Sequence, residues 1–581
     1  MVVRAEMKYI VVTATVVAVV CILVAVNIGH LFYQNKVNHS TYVSKKDIVK
    51  YAYQILDQYV AGSALTDEKQ ESKTSFLVDY EKLVITIYLD GKVKGCGVKT
   101  AEENVFLDVK EAVIDAVSNS GSSDSLTKQE LSESVMVFSF LFNKQLLDST
   151  EDWQDFIEVI EPGVHAVEVD CDSKSACFTE LYPIANNCFI GEMLTDLCLE
   201  AGLNATCYSE GNACLYKYDT ISFLGNSRGD VIDLYRGNPL LSVDEITQDL
   251  IKERIKMGGD WYLSNTNDSS FLEYKYFPSK NLYESTYDTE ASHVRRLASC
   301  WTLMNLTGFL RNVQYQELAE DILTYYLSSY KVDSDEGFSY LEINGQGNIA
   351  YSAFVILTLC EDKSYPERDD LIERFAKGIV HQQNDDGAYR TYFGYSTVYS
   401  TIDYYPGEAM LALIRAYQEL GNQDYLESAK KAVNFYREYW RYNKNTAFVP
   451  WHTQAWSLLY QETGNKDYAF FVFEMNDWLI KHHQILGDAE FPDQLGGFTR
   501  DDPRIATATF LEGLNDAYRL TILLGDRERE TKYLESIRLG ARFLLQLQFT
   551  PDNIFYLENV SRVLGGFRLS LTQNVLRIDY N

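Results

Sequence analysis

Six short segments in the second half of the sequence combine carboxylates, arginines, histidines and aromatic rings: 292–296, 348–351, 403–408, 450–454, 500–504 and 577–580. Two acids in or near them, Glu408 and Asp386, could work as an acid and base across a bond between sugars, which needs one carboxyl protonated and one ionised. His452 and Tyr405 are further candidates for proton transfer. His293, Arg296, Tyr351, Tyr389, Tyr404, Trp451, Arg500, Arg504 and Arg577 make a candidate binding set. Aromatic faces stack on the C–H faces of pyranose rings, and arginine forks pair with uronate or sulfate oxygens. Each residue also has an ordinary structural reading. Pro406-Gly407-Glu408 is a good helix start, with Pro in the first turn and Glu favoured by the helix dipole. Asp385-Asp386-Gly387 is turn chemistry, and His452 suits a hydrogen-bonded core position. The recurrence over six loops favours function more than any single loop does.

These segments need elements that bring them together, and a helical repeat supplies them. In residues 425–440, Leu426, Ala429, Val433, Tyr436 and Trp440 fall on one face at steps of three and four, while Glu427, Lys430, Lys431, Arg437 and Glu438 take the other. The preceding stretch, 408–420, is apolar nearly all round, which suits an inner helix. Gly421-Asn422 separates the two, and the join recurs at Gly464-Asn465 and Gly525-Asp526. A polar turn with an aromatic residue follows each outer helix, with Phe271, Phe338, Tyr389, Phe448, Phe498 and Phe555 in equivalent places. Outer helices are predicted near 243–263, 315–330, 367–383, 423–442, 466–482 and 527–547. Inner helices are predicted to start near 293, 348, 406, 451 and 504, and a sixth, incomplete one near 572. Six hairpins close into an (α/α)6 toroid over 240–581, with an open solenoid as the alternative. The candidate loops would line its funnel.

The N-terminal half differs. Residues 9–26 are apolar apart from Tyr9 and two Thr, with Arg4 and Lys8 before them and no basic residue after until Lys36. That predicts a single membrane-crossing anchor within 1–33, a cytoplasmic N-terminus and an extracytoplasmic bulk, with a cleaved signal peptide as the rival. A stalk at 34–44 follows. Cys171, Cys177, Cys188, Cys198, Cys207 and Cys214 form an even cluster that reads as disulfides in an exported chain; the C-x-x-C pairs of a zinc site are absent. Sequons at Asn38, Asn204, Asn267, Asn305 and Asn559 fit a glycoprotein.

Between these parts, 45–225 reads as an α+β unit: a helix at 46–59, a strand at 83–89, a turn at Asp90-Gly91, a helix at 107–117 and a strand at 134–142. Lys94-Gly95-Cys96-Gly97-Val98, residues 161–169 and residues 197–203 resemble the AMMECR-type domain. That family usually carries R-G-C-I-G where this chain has Lys94 to Val98. Cys96 is either a reactive thiol or a small residue packed between glycines. A linker is expected at 226–239. The toroid resembles six-hairpin, glycan-acting proteins such as N-acylglucosamine epimerases and unsaturated glucuronyl hydrolases, which implies a carbohydrate ligand.

The net charge of -31 argues against nucleic acid and anionic lipid surfaces as partners. Phosphate-binding, nucleophile-elbow and zinc-protease motifs are absent, so neither metal nor cofactor is expected. The sequence carries no signal of oligomeric state. The expectation is a membrane-anchored protein acting on an extracellular glycan as a hydrolase, lyase or epimerase of a uronic-acid-type saccharide. The alternative is a non-catalytic glycan- or protein-binding scaffold.

Overall fold

The computed structural model describes residues 42–65, 73–74, 79–102, 104–118, 127–147, 152–209, 213–266, 272–283, 289–394 and 400–579. The predicted anchor and most of the stalk lie outside them. Among the described residues, no helix is long and apolar enough to cross a membrane.

The N-terminal unit is built on an antiparallel sheet. Its strands are β1 (Lys82–Leu89), β2 (Lys92–Thr100), β3 (Val135–Leu147), β4 (His165–Cys171), β5 (Lys174–Phe178), β6 (Cys214–Asn226) and β7 (Val231–Leu234). The order is β2-β1-β3-β6-β4-β5, with β7 also paired to β6. Residues 231–234, expected in a linker, thus belong to the sheet. Helices α1 (Lys45–Val60) and α2 (Val105–Ser118) cover one face through Ile48, Ala52, Val109 and Val113, packed on Leu83, Ile85 and Phe138. Ser44 and Asp47 cap α1 reciprocally, Asp47 N–H donating to Ser44 Oγ at 3.3 Å and Ser44 N–H to Asp47 Oδ2 at 3.0 Å. Helix α3 (Ile190–Glu200) lies on β4 and β5 and carries the disulfide Cys198–Cys207.

The expectation of six bridged cysteines is corrected to that one pair. Cys177, Cys188 and Cys214 are thiols: Cys177 and Cys214 share a face of the sheet but stand two strands apart, opposite Glu168 and Asp170 on either side of β4, and Cys188 lies in the loop before α3. Burial pushes the Cys177 and Cys188 thiols up to about 12.

The toroid comprises α4 (Gln248–Ser264), α5 (Glu290–Leu310), α6 (Val313–Tyr330), α7 (Ile349–Glu361), α8 (Arg368–His381), α9 (Tyr405–Leu420), α10 (Gln423–Tyr442), α11 (Val449–Thr463), α12 (Lys466–His483), α13 (Thr507–Leu524) and α14 (Arg527–Leu547). Inner helices pack in the order α5-α7-α9-α11-α13, each with an outer partner. Gly421, Gly464 and Gly525 end inner helices with φ of +72°, +67° and +69°, which glycine adopts without cost. The next residue caps the outer helix: Asn422 and Asn465 accept from Asp424 and Asp467 N–H at 3.0 and 3.1 Å, and Asp526 from Arg529 N–H at 3.1 Å.

No helix starts near 572 among the described residues. Instead β8 (Lys275–Phe277) pairs with β9 (Leu576–Arg577) and closes the ring. The N-terminal unit explains the extended backbone there. Asn574 N–H donates to Asn187 Oδ1, and its Nδ2 to Ile184 O, both at 2.6 Å.

The two units share one core, in which Tyr88, Leu181 and Leu224 join the toroid's buried residues. The β1–β2 turn at Asp90-Gly91 has positive φ at both residues, +49° and +77°, and a side chain at Gly91 would strike the Leu557 backbone. Arg236 is buried between the units. Its Nε donates to Asp493 Oδ2 at 2.8 Å, and Nη1 pairs with Glu161 Oε1 at 2.5 Å. Arg236→Ala strips Asp493 of a counter-charge and is expected to cost about 3–5 kcal/mol. Urea unfolding should show a lower midpoint; an unchanged midpoint would mean that the pair is not a latch.

Candidate functional site

Glu408 stands in the first turn of α9, a helix buried on every side from Tyr405 to Ile414. Pro406 suits that turn because its missing N–H has no helical partner to lose. Gly407 lets α9 touch α11, since a Cβ there would lie 2.7 Å from Trp451 Cβ and 3.0 Å from His452 Cδ2. Glu408 is 1% exposed, and neither carboxyl oxygen has a partner within hydrogen-bond distance. Burial pushes its pKa up to about 8, against the pull of Arg295 on α5. At neutral pH the group is a carboxylic acid.

Arg295 pairs with a different carboxylate. Its Nε lies 3.3 Å from Asp579 Oδ2, and Arg577 Nε donates to Asp579 Oδ1 at 3.0 Å. Arg577 Nη2 reaches the Tyr274 hydroxyl at 2.6 Å. The Asp579 side chain is 2% exposed. Beside this group, three inner helices meet through aromatic rings: Trp301 of α5 lies 6.1 Å from Trp451 of α11, and Phe354 of α7 lies 5.6 Å from Trp451. Because α5 and α11 are not neighbours in the ring, this contact crosses the bore. Glu512 on α13 adds a third acid. It is solvent-exposed, and desolvation by the neighbouring protein with Asp516 one turn on raises its pKa. Gln454 of α11 hydrogen-bonds to it.

The remaining predicted residues have other surroundings. Asp386 is exposed and accepts the Ala388 N–H at 3.0 Å within its own turn. His452 is fully buried and stacked on Phe448 at 3.6 Å, with neither ring nitrogen hydrogen-bonded. Burial pushes its pKa down to about 3, so it is neutral over the physiological range. Tyr405 is buried edge-on to Tyr392 at 6.3 Å. His293 Nδ1 and the Tyr326 hydroxyl share a hydrogen bond of 2.8 Å, and Arg296 Nε donates to Leu272 O at 2.7 Å. Tyr351 is buried in the first turn of α7, its N–H on Asn348 Oδ1 at 2.9 Å. Tyr389 is buried with its hydroxyl 2.9 Å from Ser428 Oγ, whereas Tyr404 is exposed. Arg500 donates to Gln484 O at 3.1 Å and pairs with Asp488; Arg504 donates to Asp502 Oδ2 at 2.6 Å.

Glu408, Trp451 and Arg577 are therefore the predicted residues gathered near the bore. Arg295, Trp301, Phe354, Asp579 and Glu512 complete the group. A signal for the first two exists in α5: half-buried Arg295, Ala298 and Trp301 recur every three residues, while His293, Arg296, Cys300 and Leu303 form the fully buried face. Among the described residues, no cluster of His, Cys, Asp and Glu could hold a metal ion.

A second concavity lies between the two units. Gly95 and Gly97 have no room for a Cβ against the backbone of Ala116 and Ala112, so β2 presses on α2 and Cys96 turns the other way. Cys96 lines a cleft of about 1480 Å³ with Cys177, Tyr182, Lys280 and Tyr556. The Thr86 hydroxyl donates to its Sγ at 3.6 Å; Cys96 is exposed to the cleft, and desolvation by the surrounding walls raises the thiol pKa above its ordinary value.

Residues 49–223 match the family model AMMECR1. The N-terminal unit is thus an AMMECR1 domain, joined to a helical, toroid-like part. None of the curated proteins compared with the chain matches it. Among solved structures, an uncharacterised protein from Pyrococcus horikoshii is 16% identical, covering 32% of this chain and 95% of its own, with a TM-score of 0.29. A family 76 glycoside hydrolase from a bovine Bacteroides thetaiotaomicron strain is 9% identical, covering 77% of this chain and 93% of its own, with a TM-score of 0.42. The cellobiose 2-epimerase from Bacillus thermoamylovorans is 11% identical, covering 52% of this chain and 89% of its own, with a TM-score of 0.40.

The shifted groups in the toroid fix its pH response. Glu408 has a folded pKa of about 8 against an ordinary 4.5, so its contribution to stability is complete below about pH 4.5 and is lost as pH rises through 8. His452, lowered to about 3 from 6.5, contributes stability above pH 6.5 that is lost as pH falls through 3. Glu408→Gln should therefore gain on the wild type between pH 5 and 8.5, by a few kcal/mol at about 1.4 kcal/mol per pH unit. Thermal melts across that range measure it, and parallel curves would show that Glu408 ionises freely.

Proposed function

We propose that the protein is a glycan-processing enzyme in which Glu408 delivers a proton within the bore of the toroid. The single observation that carries this reading is the state of Glu408, an acid still protonated at neutral pH with no protein partner. Glycosidic-bond cleavage needs such an acid beside an ionised carboxylate. Asp579, held by Arg295 and Arg577, is the candidate for the second role, and Trp301, Phe354 and Trp451 offer ring faces for a pyranose. Arginines at the site favour a saccharide bearing carboxylates, processed by hydrolysis, elimination or epimerisation. We also propose that the apolar stretch 9–26 anchors the chain with its bulk outside the cytoplasm; the flanking Arg4 and Lys8 support that orientation.

One observation favours a second reading, a non-catalytic binding scaffold. Glu408 is 1% exposed, so a substrate must displace neighbouring side chains to reach it.

Incubating the full-length protein with uronic-acid oligosaccharides, with mass-spectrometric detection of products, separates the two. Turnover is expected to fall as pH rises through about 8, when Glu408 loses its proton. Glu408→Gln should lower kcat about 10²–10⁴-fold with a smaller change in KM. Wild-type rates in that variant would remove Glu408 as the acid, and binding without turnover would establish the scaffold.

A further inference from the structure

Among the described residues, five inner helices stand in a ring that has six places. The sixth place lies between α13 and α5, the last and the first of them, behind the outer helices α14 and α4. An apolar cavity of about 280 Å³ stands there. Its walls include Ile251 and Ile255 of α4, Leu306 of α5, Leu544 of α14 and Phe567 of the C-terminal run. Ile251, Ile255 and Gly258 recur at helical spacing, so α4 turns one stripe toward this space. The four aliphatic side chains are only half-buried, as a core face is when the helix that would cover it is missing.

Two polar side chains reach the cavity, those of Thr302 and Arg254. The Thr302 hydroxyl is used within α5, donating to Ala298 O at 3.3 Å. Arg254 is different. Its Nη1 is buried and has no partner within hydrogen-bond distance. Burial lowers the guanidinium pKa, and Glu253 and Asp552 oppose that shift through their field from exposed positions. The site therefore offers apolar walls and one unused, positively charged donor. A cavity walled by Ile, Leu and Phe holds water poorly and takes small apolar molecules.

We infer that this cavity binds an aliphatic monocarboxylate of medium length, its chain against the Ile, Leu and Phe walls and its carboxylate on Arg254 Nη1. The charge-assisted hydrogen bond fixes the head. The volume fixes the chain: it holds roughly nine groups of a water's share, about 30 Å³ each. Butyrate leaves much of that space empty, and palmitate exceeds it. The walls come from the first and last hairpins, so the ligand fastens the two ends of the toroid. It binds the folded state alone and stabilises the ring closure as its concentration rises. The inference does not depend on the reaction proposed in the bore.

The test titrates full-length protein with octanoate below its micelle range, and with octanol as the uncharged control. Calorimetry should show one saturable octanoate site, and the melting temperature should rise by about 1–3 °C at saturation. Arg254→Met should weaken octanoate about tenfold and leave octanol unchanged. At Gly258 a Cβ has ordinary clearance, 3.6 Å from Phe567 Cε2, so Gly258→Leu fills the cavity and should abolish binding of both. No saturable binding to the wild type, undiminished binding to Gly258→Leu, or equal octanoate affinity in Arg254→Met would each overturn the inference. If a variant fails to fold, wild-type crystals with bromo-octanoate decide. An anomalous bromine peak between Ile251, Leu306 and Phe567 supports the site, and a peak only elsewhere, or none, overturns it.

Discussion

Glu408 sits on a helix buried on every side, and the protein places no group within hydrogen-bond distance of its carboxyl oxygens. A charged carboxylate there would face the full desolvation cost, which Arg295 offsets only in part. The folded state avoids that cost by keeping the proton. The Gly407 contact brings the starts of α9 and α11 together, α5 supplies Arg295, and the ring closes through β9 so that Asp579 can take up the arginine's charge. Arg295 pairs with Asp579 and acts on the neutral Glu408 only through its field.

The AMMECR1 domain takes part in that closure. Asn187 and Ile184 hold Asn574, which fixes the extended run into β9 and from there to Asp579. Arg236 and Asp493 tie the same boundary from the other side, and the common core runs across it. The two parts of the chain behave as one folded body whose junction shapes the end of the toroid's bore. Asn574, two residues before β9, gives both its backbone N–H and its side-chain amide to the neighbouring domain.

Much of this was legible in the sequence. The step of three and four in residues 425–440 marked α10, and the Gly-Asx joins at 421, 464 and 525 marked the hairpins, because left-handed glycine and side-chain caps are local properties. Glu408 was legible as a candidate, but not its protonation, which depends on burial by helices remote in sequence. Asp386 answered to local chemistry instead, its carboxylate serving its own turn. Loop position points to His293 and Arg296, whereas the phase of α5 sets Arg295 on the half-buried face with Ala298 and Trp301. The cysteines misled for a related reason. Even number and exported context speak to redox chemistry, while pairing depends on the strand order, which leaves Cys177 and Cys214 on one face but with β4 between them.

The central claim is that Glu408 holds a proton at neutral pH. Infrared difference spectroscopy of the wild type against Glu408→Gln reads this directly. The expected result is a protonated carboxyl stretch at pH 7, absent from the variant, that disappears as pH rises through about 8. A carboxylate band already present at pH 6, with no protonated signal lost in the variant, would contradict it.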